Sequence, residues 1–310
     1  MEARVAGIGL IFPGQGSQQV GMGAALAAAF PEAKQVFEEA NDALGFDLRQ
    51  LVLEGPEEEL TLTYNAQSAI LTVATVAHRV LGGRVELKPV SLAGHSVGEY
   101  SALVAAGALS FADAVRTVFK RGQFMQEATP VGVGAMAAVL GMEPAEIEQL
   151  CREEAKGQVV QPANFNTPGQ IVISGDAEAV KRVLGRAKGK LLSVSAPFHS
   201  ALMEPAAERM GEVLQALAFH DATAPICANC DNRFITAAAE FPDSLKRQIA
   251  SPVHWDAGIR KMIGGGVTRF VELGHGKVLS GMMRRIAKET PVSNVEDEAS
   301  LQATLAALGA

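Results

Sequence analysis

The sequence predicts an α/β protein: a large domain built on a mostly parallel sheet, interrupted by a small α+β insert. Three observations carry this expectation. Short apolar runs alternate with longer helical patterns from the start of the chain, the order that gives parallel strands covered by helices. The first run, residues 5–12, is continuously apolar, as a strand buried on both faces must be. Residues 129–198 break the alternation and read strand, helix, strand, strand, helix, strand, the order of a ferredoxin-like split βαβ unit. The expected limits are 1–128 with 199–310 for the large domain and 129–198 for the insert. A cleft between the two is where a ligand would sit.

Each element has a local reason. Residues 65–81 are apolar nearly all round, which predicts a deeply buried helix. Residues 90–93 form a second short strand, and 96–106 and 111–126 read as helices parted by Gly107. In the insert, 135–140 is a strand and 144–155 a helix opened by Pro144, whose fixed φ suits a first turn. Strands at 159–164 and 170–174 are joined through Asn166-Thr167-Pro168-Gly169, a turn signal. A helix at 177–188 and a strand at 191–194 close the unit. Beyond it, Met203, Ala207, Met210, Leu214 and Leu217 recur on one face of a helix at 200–217 and read as core. A strand at 267–273 and a helix at 277–286 follow.

Composition narrows the function classes. At 310 residues and 48% hydrophobic, the chain can bury a large core. No segment reaches the roughly 20 continuous apolar residues of a membrane span, and residues 5–12 lead into a Gly- and Gln-rich turn rather than a cleavage site. A net charge of −7 argues against nucleic-acid binding through a basic surface. Three cysteines make no disulfide framework, so a cytoplasmic protein is expected. Cys227 and Cys230 form a C-x-x-C with no second pair, so they read as structural and no metal is expected. A monomer is the expected state.

The chemistry begins at Gly94-His95-Ser96-Val97-Gly98, between an apolar strand and a helix. That is the context of a G-x-S-x-G nucleophile elbow, which exposes a serine with helix N–H groups behind it. Ser96 needs a base, since a serine hydroxyl is a poor nucleophile at neutral pH. Of six histidines, His199 stands at the junction of insert and large domain and is favoured by position. His95 adjoins the serine with its ring turned away, His78 is mid-helix, His220 ends a helix-like segment, His254 precedes Trp255 and His275 lies in a glycine turn. The loop Pro13-Gly14-Gln15-Gly16-Ser17-Gln18 follows the first strand and fits no phosphate-binding motif. It is either a plain turn or the source of an N–H that completes an oxyanion hole with Val97. Arg121 is either a solvated basic residue or a clamp for a substrate carboxylate.

Together these segments resemble the bacterial malonyl-CoA:acyl carrier protein transacylases, from about residue 5 to 290. The resemblance rests on Phe12-Pro13-Gly14-Gln15-Gly16-Ser17-Gln18, the elbow with Glu99-Tyr100-Ser101-Ala102, and Arg121-Gly122-Gln123-Phe124-Met125-Gln126. It continues through Asn164-Phe165-Asn166-Thr167-Pro168-Gly169-Gln170, Phe198-His199-Ser200-Ala201-Leu202-Met203 and Gly274-His275-Gly276-Lys277-Val278-Leu279. It implies an α/β-hydrolase-like domain with a ferredoxin-like insert. It implies Ser96 as nucleophile, His199 as base and the backbone carbonyl of Gln248 as the group orienting that base. The oxyanion donors would be the N–H groups of Gln15 and Val97. Arg121 would pair with the malonyl carboxylate, with Met125, Asn166 and Phe198 beside the substrate. The implied partners are malonyl-CoA and acyl carrier protein, with no cofactor beyond the phosphopantetheine that the carrier brings. Because that carrier is acidic, Lys188, Lys190, Arg284 and Arg285 are candidates for its docking.

Three other readings share some of these residues. An acyl hydrolase would use water as acceptor, a polyketide-pathway acyltransferase would differ only in its carrier, and a non-catalytic scaffold would bind carriers without acylation of Ser96.

Overall fold

A computed structural model describes residues 7–130, 132–194 and 196–309. Residues 5 and 6 of the first expected strand lie outside these. The described residues form two sheets. The larger comprises β1 (Ile8–Phe12), β2 (Ser91–Gly94), β7 (Ile226–Cys227), β8 (Phe234–Ile235), β9 (Arg269–Leu273) and β10 (Val292–Val295), in the order β10-β9-β1-β2-β7-β8. Every pairing in it is parallel except β7 with β8. The smaller comprises β3 (Gly134–Leu140), β4 (Val160–Thr167), β5 (Gln170–Asp176) and β6 (Gly189–Leu191), in the order β4-β5-β3-β6, all antiparallel.

The continuous apolar run of β1 follows from its position. Leu10 and Phe12 enter one core and Ile11 the core on the opposite face of the sheet. The small sheet is also covered on both sides, but differently. Val139, Ile171 and Ile173 pack on the helices Pro144–Ala155 and Ala177–Leu184, while Met136, Ala138 and Val172 alternate onto the other face and line a cavity. Period-two alternation thus turns this sheet into one wall of the cleft.

Backbone hydrogen bonds fix that wall to the larger part. Phe165 N–H donates to Val253 O at 2.9 Å and Val253 N–H to Ala163 O at 2.8 Å, tying β4 to the segment before the helix Trp255–Gly264. Below the cavity, the helices Thr63–Gly82 and Phe111–Glu127 cross closely. Gly122 sits at the crossing, where a Cβ would collide with the Tyr64 backbone.

Several boundaries differ from expectation for identifiable reasons. The elbow helix begins at Gly98, not residue 96, because Ser96 has φ +53° and cannot belong to it. The helix expected at 200–217 opens as a short 3₁₀ turn, Ala201–Met203, and becomes α-helical at Glu204–Gln215, with Pro205 in its first turn. The helix expected to reach 188 ends at Leu184, before Gly185, and the strand expected at 191–194 lies at Gly189–Leu191 on the sheet edge. The turn between β4 and β5 is only Pro168-Gly169, since Thr167 already pairs with Gln170.

Gly122→Ala is expected to cost about 3 kcal/mol, because two helix backbones must separate to admit the methyl group. Urea denaturation checks it; a change within about 0.5 kcal/mol would show that the crossing has room.

Candidate active site

Ser96, the candidate nucleophile, is placed by close backbone approach. A Cβ on Gly94 would meet the backbone of Gly98, and one on Gly98 would meet the Phe12 carbonyl, so the turn needs glycine at both positions. Between them Ser96 is forced to positive φ, and its N–H donates to the Asn229 side-chain oxygen at 2.7 Å. Asn229 also donates through Nδ2 to Gly94 O at 2.7 Å, so one side chain braces the elbow on both sides.

His199 faces the serine, with Ser96 Oγ to His199 Nε2 at 2.7 Å. Its Nδ1–H donates to the Gln248 carbonyl at 3.0 Å, which leaves Nε2 free to accept the Ser96 proton. Gln248 lies in the last turn of the helix Phe241–Ala250, where carbonyls have no partner within the helix. That end also carries partial negative charge, which favours a developing imidazolium. Burial, then the neighbouring Arg121, holds the His199 pKa down at about 3, so the ring is neutral and ready to act as a base.

Arg121 is 1% exposed, on the helix Phe111–Glu127. Nη1 donates to Gln67 Oε1 at 2.8 Å, and Nη2 to Gln248 Oε1 at 2.9 Å and to Ser96 Oγ at 3.3 Å. Among the described residues Nε has no hydrogen-bond partner. Amides therefore hold this buried cation, and among the described residues no carboxylate touches it. Its counter-charge is one step away: Gln248 Nε2 donates to Glu99 Oε2 at 2.8 Å and to Ser96 O at 3.0 Å, and Glu99 Oε2 also accepts from Asn229 N–H at 3.0 Å. Burial raises the Glu99 pKa to about 7, against the lowering effect of those hydrogen bonds and of Arg121.

These groups open onto a cavity of about 660 Å³, bounded by Gln15, Met125, Asn166 and Phe198 among others. Among the described residues neither the Gln15 nor the Val97 N–H has a protein acceptor, as suits donors awaiting an oxyanion. The site can bind an acyl group with a terminal carboxylate and pass it through a serine ester.

The acyl transferase domain family model matches residues 10–304. Over 308 residues the chain is 46% identical to the Malonyl CoA-acyl carrier protein transacylase of Bacillus subtilis strain 168, covering 97% of each chain. The chain belongs to the malonyl CoA-acyl carrier protein transacylase family of acyltransferases. The solved transacylase structure from Coxiella burnetii matches at TM-score 0.96 and 40% identity, over 98% of both chains. A structure of a type II PKS acyl-carrier protein in complex with its malonyl-transacylase matches at TM-score 0.94 and 43% identity, over 97% of this chain and 99% of that one.

In this member of the family, Ser96, His199, Arg121, Gln248, Met125, Asn166 and Phe198 come together, with Gln15 and Val97 at the rim of the serine. Lys188, Lys190, Arg284 and Arg285 do not converge. All four are exposed, the lysines in and beside β6 and the arginines on the helix Val278–Ile286, which packs near β4 at the opposite edge of the small sheet.

Three of the other histidines have structural partners. His95 Nε2–H donates to Asn166 Oδ1 at 2.8 Å, linking the elbow to β4. The His254 ring stacks on Phe165 at 5.0 Å, and His275 reaches Gln19 Oε1 at 3.3 Å. His220 lies beyond the helix Glu204–Gln215, not at its end, so it does not serve the helix dipole as expected. Sequence reasoning missed Gln67, Glu99 and Asn229. The last lies inside the C-x-x-C motif, between Cys227 and Cys230. Burial raises those two thiols to about 12 and about 11, as befits packed, unreactive cysteines.

The His199 pKa sets a pH dependence. The unfolded chain protonates this ring near its ordinary 6.5 and the folded chain near 3. Between those values the unfolded state binds the extra proton, so stability falls as pH falls. Relative to His199→Gln, the wild type is expected to lose about 1.4 kcal/mol per pH unit between about pH 6 and about pH 4. Urea denaturation across that range checks it, and parallel pH dependence of the two proteins would contradict it.

Proposed function

We propose that this chain moves a malonyl group from malonyl-CoA to the phosphopantetheine thiol of an acyl carrier protein, supplying malonyl carrier for fatty-acid synthesis. The observation that supports this most is the buried Arg121 guanidinium, held by the Gln67 and Gln248 amides and donating to Ser96 Oγ at 3.3 Å. A malonyl thioester presents a carboxylate at that distance from its reacting carbonyl, and an acetyl group leaves the cation unmatched. The names of the family relatives supply the same donor and acceptor.

The proposed reaction is ping-pong. Ser96 Oγ attacks the thioester carbonyl as His199 Nε2 takes its proton. The oxyanion is held by the Gln15 and Val97 N–H groups, and collapse expels CoA, which leaves with the proton from His199. The pantetheine thiol then gives its proton to His199 and attacks malonyl-Ser96. Collapse of that second adduct returns the proton to Ser96 Oγ and releases the malonylated carrier. No cofactor takes part in this scheme.

In the same reading, the large sheet with its helices, at 1–128 and 199–310, is an α/β-hydrolase-like domain and 129–198 a ferredoxin-like insert. The protein acts as a cytoplasmic monomer, and Lys188, Lys190, Arg284 and Arg285 are offered as carrier contacts. The likeness to a transacylase bound to a type II PKS acyl-carrier protein supports a second acceptor class, which transfer assays with both kinds of carrier separate.

Arg121→Ala is expected to lower kcat/KM for malonyl-CoA by about 100-fold, the usual loss when one partner of a buried charge pair is truncated. Acetyl transfer should persist or rise. Full malonyl preference in that variant would contradict the assignment. Ser96→Ala should lower transfer by at least about 10³-fold with the fold retained.

A further inference from the structure

We propose that Gln67 is a specificity-determining residue: its neutral amide aims Arg121 from one side and offers a second donor to the acyl carboxylate. The inference rests on the malonyl reading above.

Gln67 is 1% exposed, on the helix Thr63–Gly82, and its side chain borders the cavity. Its two polar ends are unequally satisfied. Oε1 accepts from Arg121 Nη1 at 2.8 Å, a charge-assisted bond. Among the described residues Nε2 meets only the Met125 sulfur at 3.8 Å, a weak acceptor. The amide cannot turn over, since that would set its donors against those of the guanidinium. A buried amide N–H normally finds an oxygen partner. Here the under-used donor lies beside Arg121 in the same cavity, where a substrate carboxylate would be bound.

Neutrality matters as much as position. Arg121 is held on Nη1 by Gln67 and on Nη2 by Gln248, both amides. An amide oxygen orients a guanidinium without cancelling its charge. A carboxylate of the same shape at position 67 would pair with Arg121 directly and compete with the acyl carboxylate. The buried acid that is present, Glu99, reaches Arg121 only through the Gln248 amide. The cation is thereby kept for the substrate.

The test is transfer from malonyl-CoA and from acetyl-CoA by the wild type, Gln67→Glu and Gln67→Met. The malonyl-to-acetyl ratio of kcat/KM is expected to fall about 100-fold in Gln67→Glu, as for loss of a buried charge pair. It should fall about tenfold in Gln67→Met, which keeps the volume and loses both polar ends. Acetyl transfer shows that each variant is folded. Should Gln67→Glu not fold, the ratio in Gln67→Met decides alone. A ratio within about twofold of wild type overturns the inference. So does an equal fall for both acyl groups, which a packing role would give. No malonyl preference in the wild type, or its survival in Arg121→Ala, would instead overturn the malonyl reading, and this inference with it.

Discussion

The site depends on one residue, Gln248, and on its place in the last turn of a helix. Its carbonyl, left without a helical partner, fixes the tautomer of His199. Its side-chain oxygen holds Arg121, and its side-chain nitrogen holds the Ser96 carbonyl and Glu99. His199, Arg121 and the elbow are therefore referred to one point. An amide serves here where neither an acid nor an amine would, because it must accept from a cation on one side and donate to an anion and a carbonyl on the other.

The surrounding electrostatics follow from that arrangement. A buried guanidinium is costly unless it is hydrogen-bonded and its charge is balanced nearby. Glu99, partly ionised near neutral pH because burial raises its pKa to about 7, gives part of that balance at one remove and leaves the face turned to the cavity unneutralised. The same low-dielectric setting keeps His199 neutral. Ser96 and His199 both sit at positive φ, at 53° and 58°, in two segments held from several directions. Such strain is kept only where the surroundings over-determine it, here by Asn229, Gln248 and the glycines of the elbow.

Much of this was legible in the sequence, and the limits have physical causes. Strand β1, the elbow and the strand–helix order of the small sheet were readable because burial on both faces, turn chemistry and local periodicity leave strong marks. Ser96 was readable because its turn needs glycines at fixed spacing. From spacing alone His199 was favoured only by its position among six histidines, and Arg121 stood open between a solvated and a clamping role; the family resemblance is what implied their roles. Those pairings join residues 25 and 103 positions apart, and no local pattern encodes them. Gln248 came only from the resemblance, and Glu99, Asn229 and Gln67 leave still less trace, since each acts through hydrogen bonds made across the fold. The two-residue strands Ile226–Cys227 and Phe234–Ile235 leave no sequence signal, because so short a run has no period to detect.

The central claim, that a malonyl group resides on Ser96 between two partners, is tested most directly by intact-protein mass after brief mixing with malonyl-CoA. The account predicts a malonyl adduct on the wild type, none on Ser96→Ala, and prompt loss of the adduct when acyl carrier protein is added. An adduct that decays in water as fast as with the carrier, or none at all with malonyl-CoA, would contradict it.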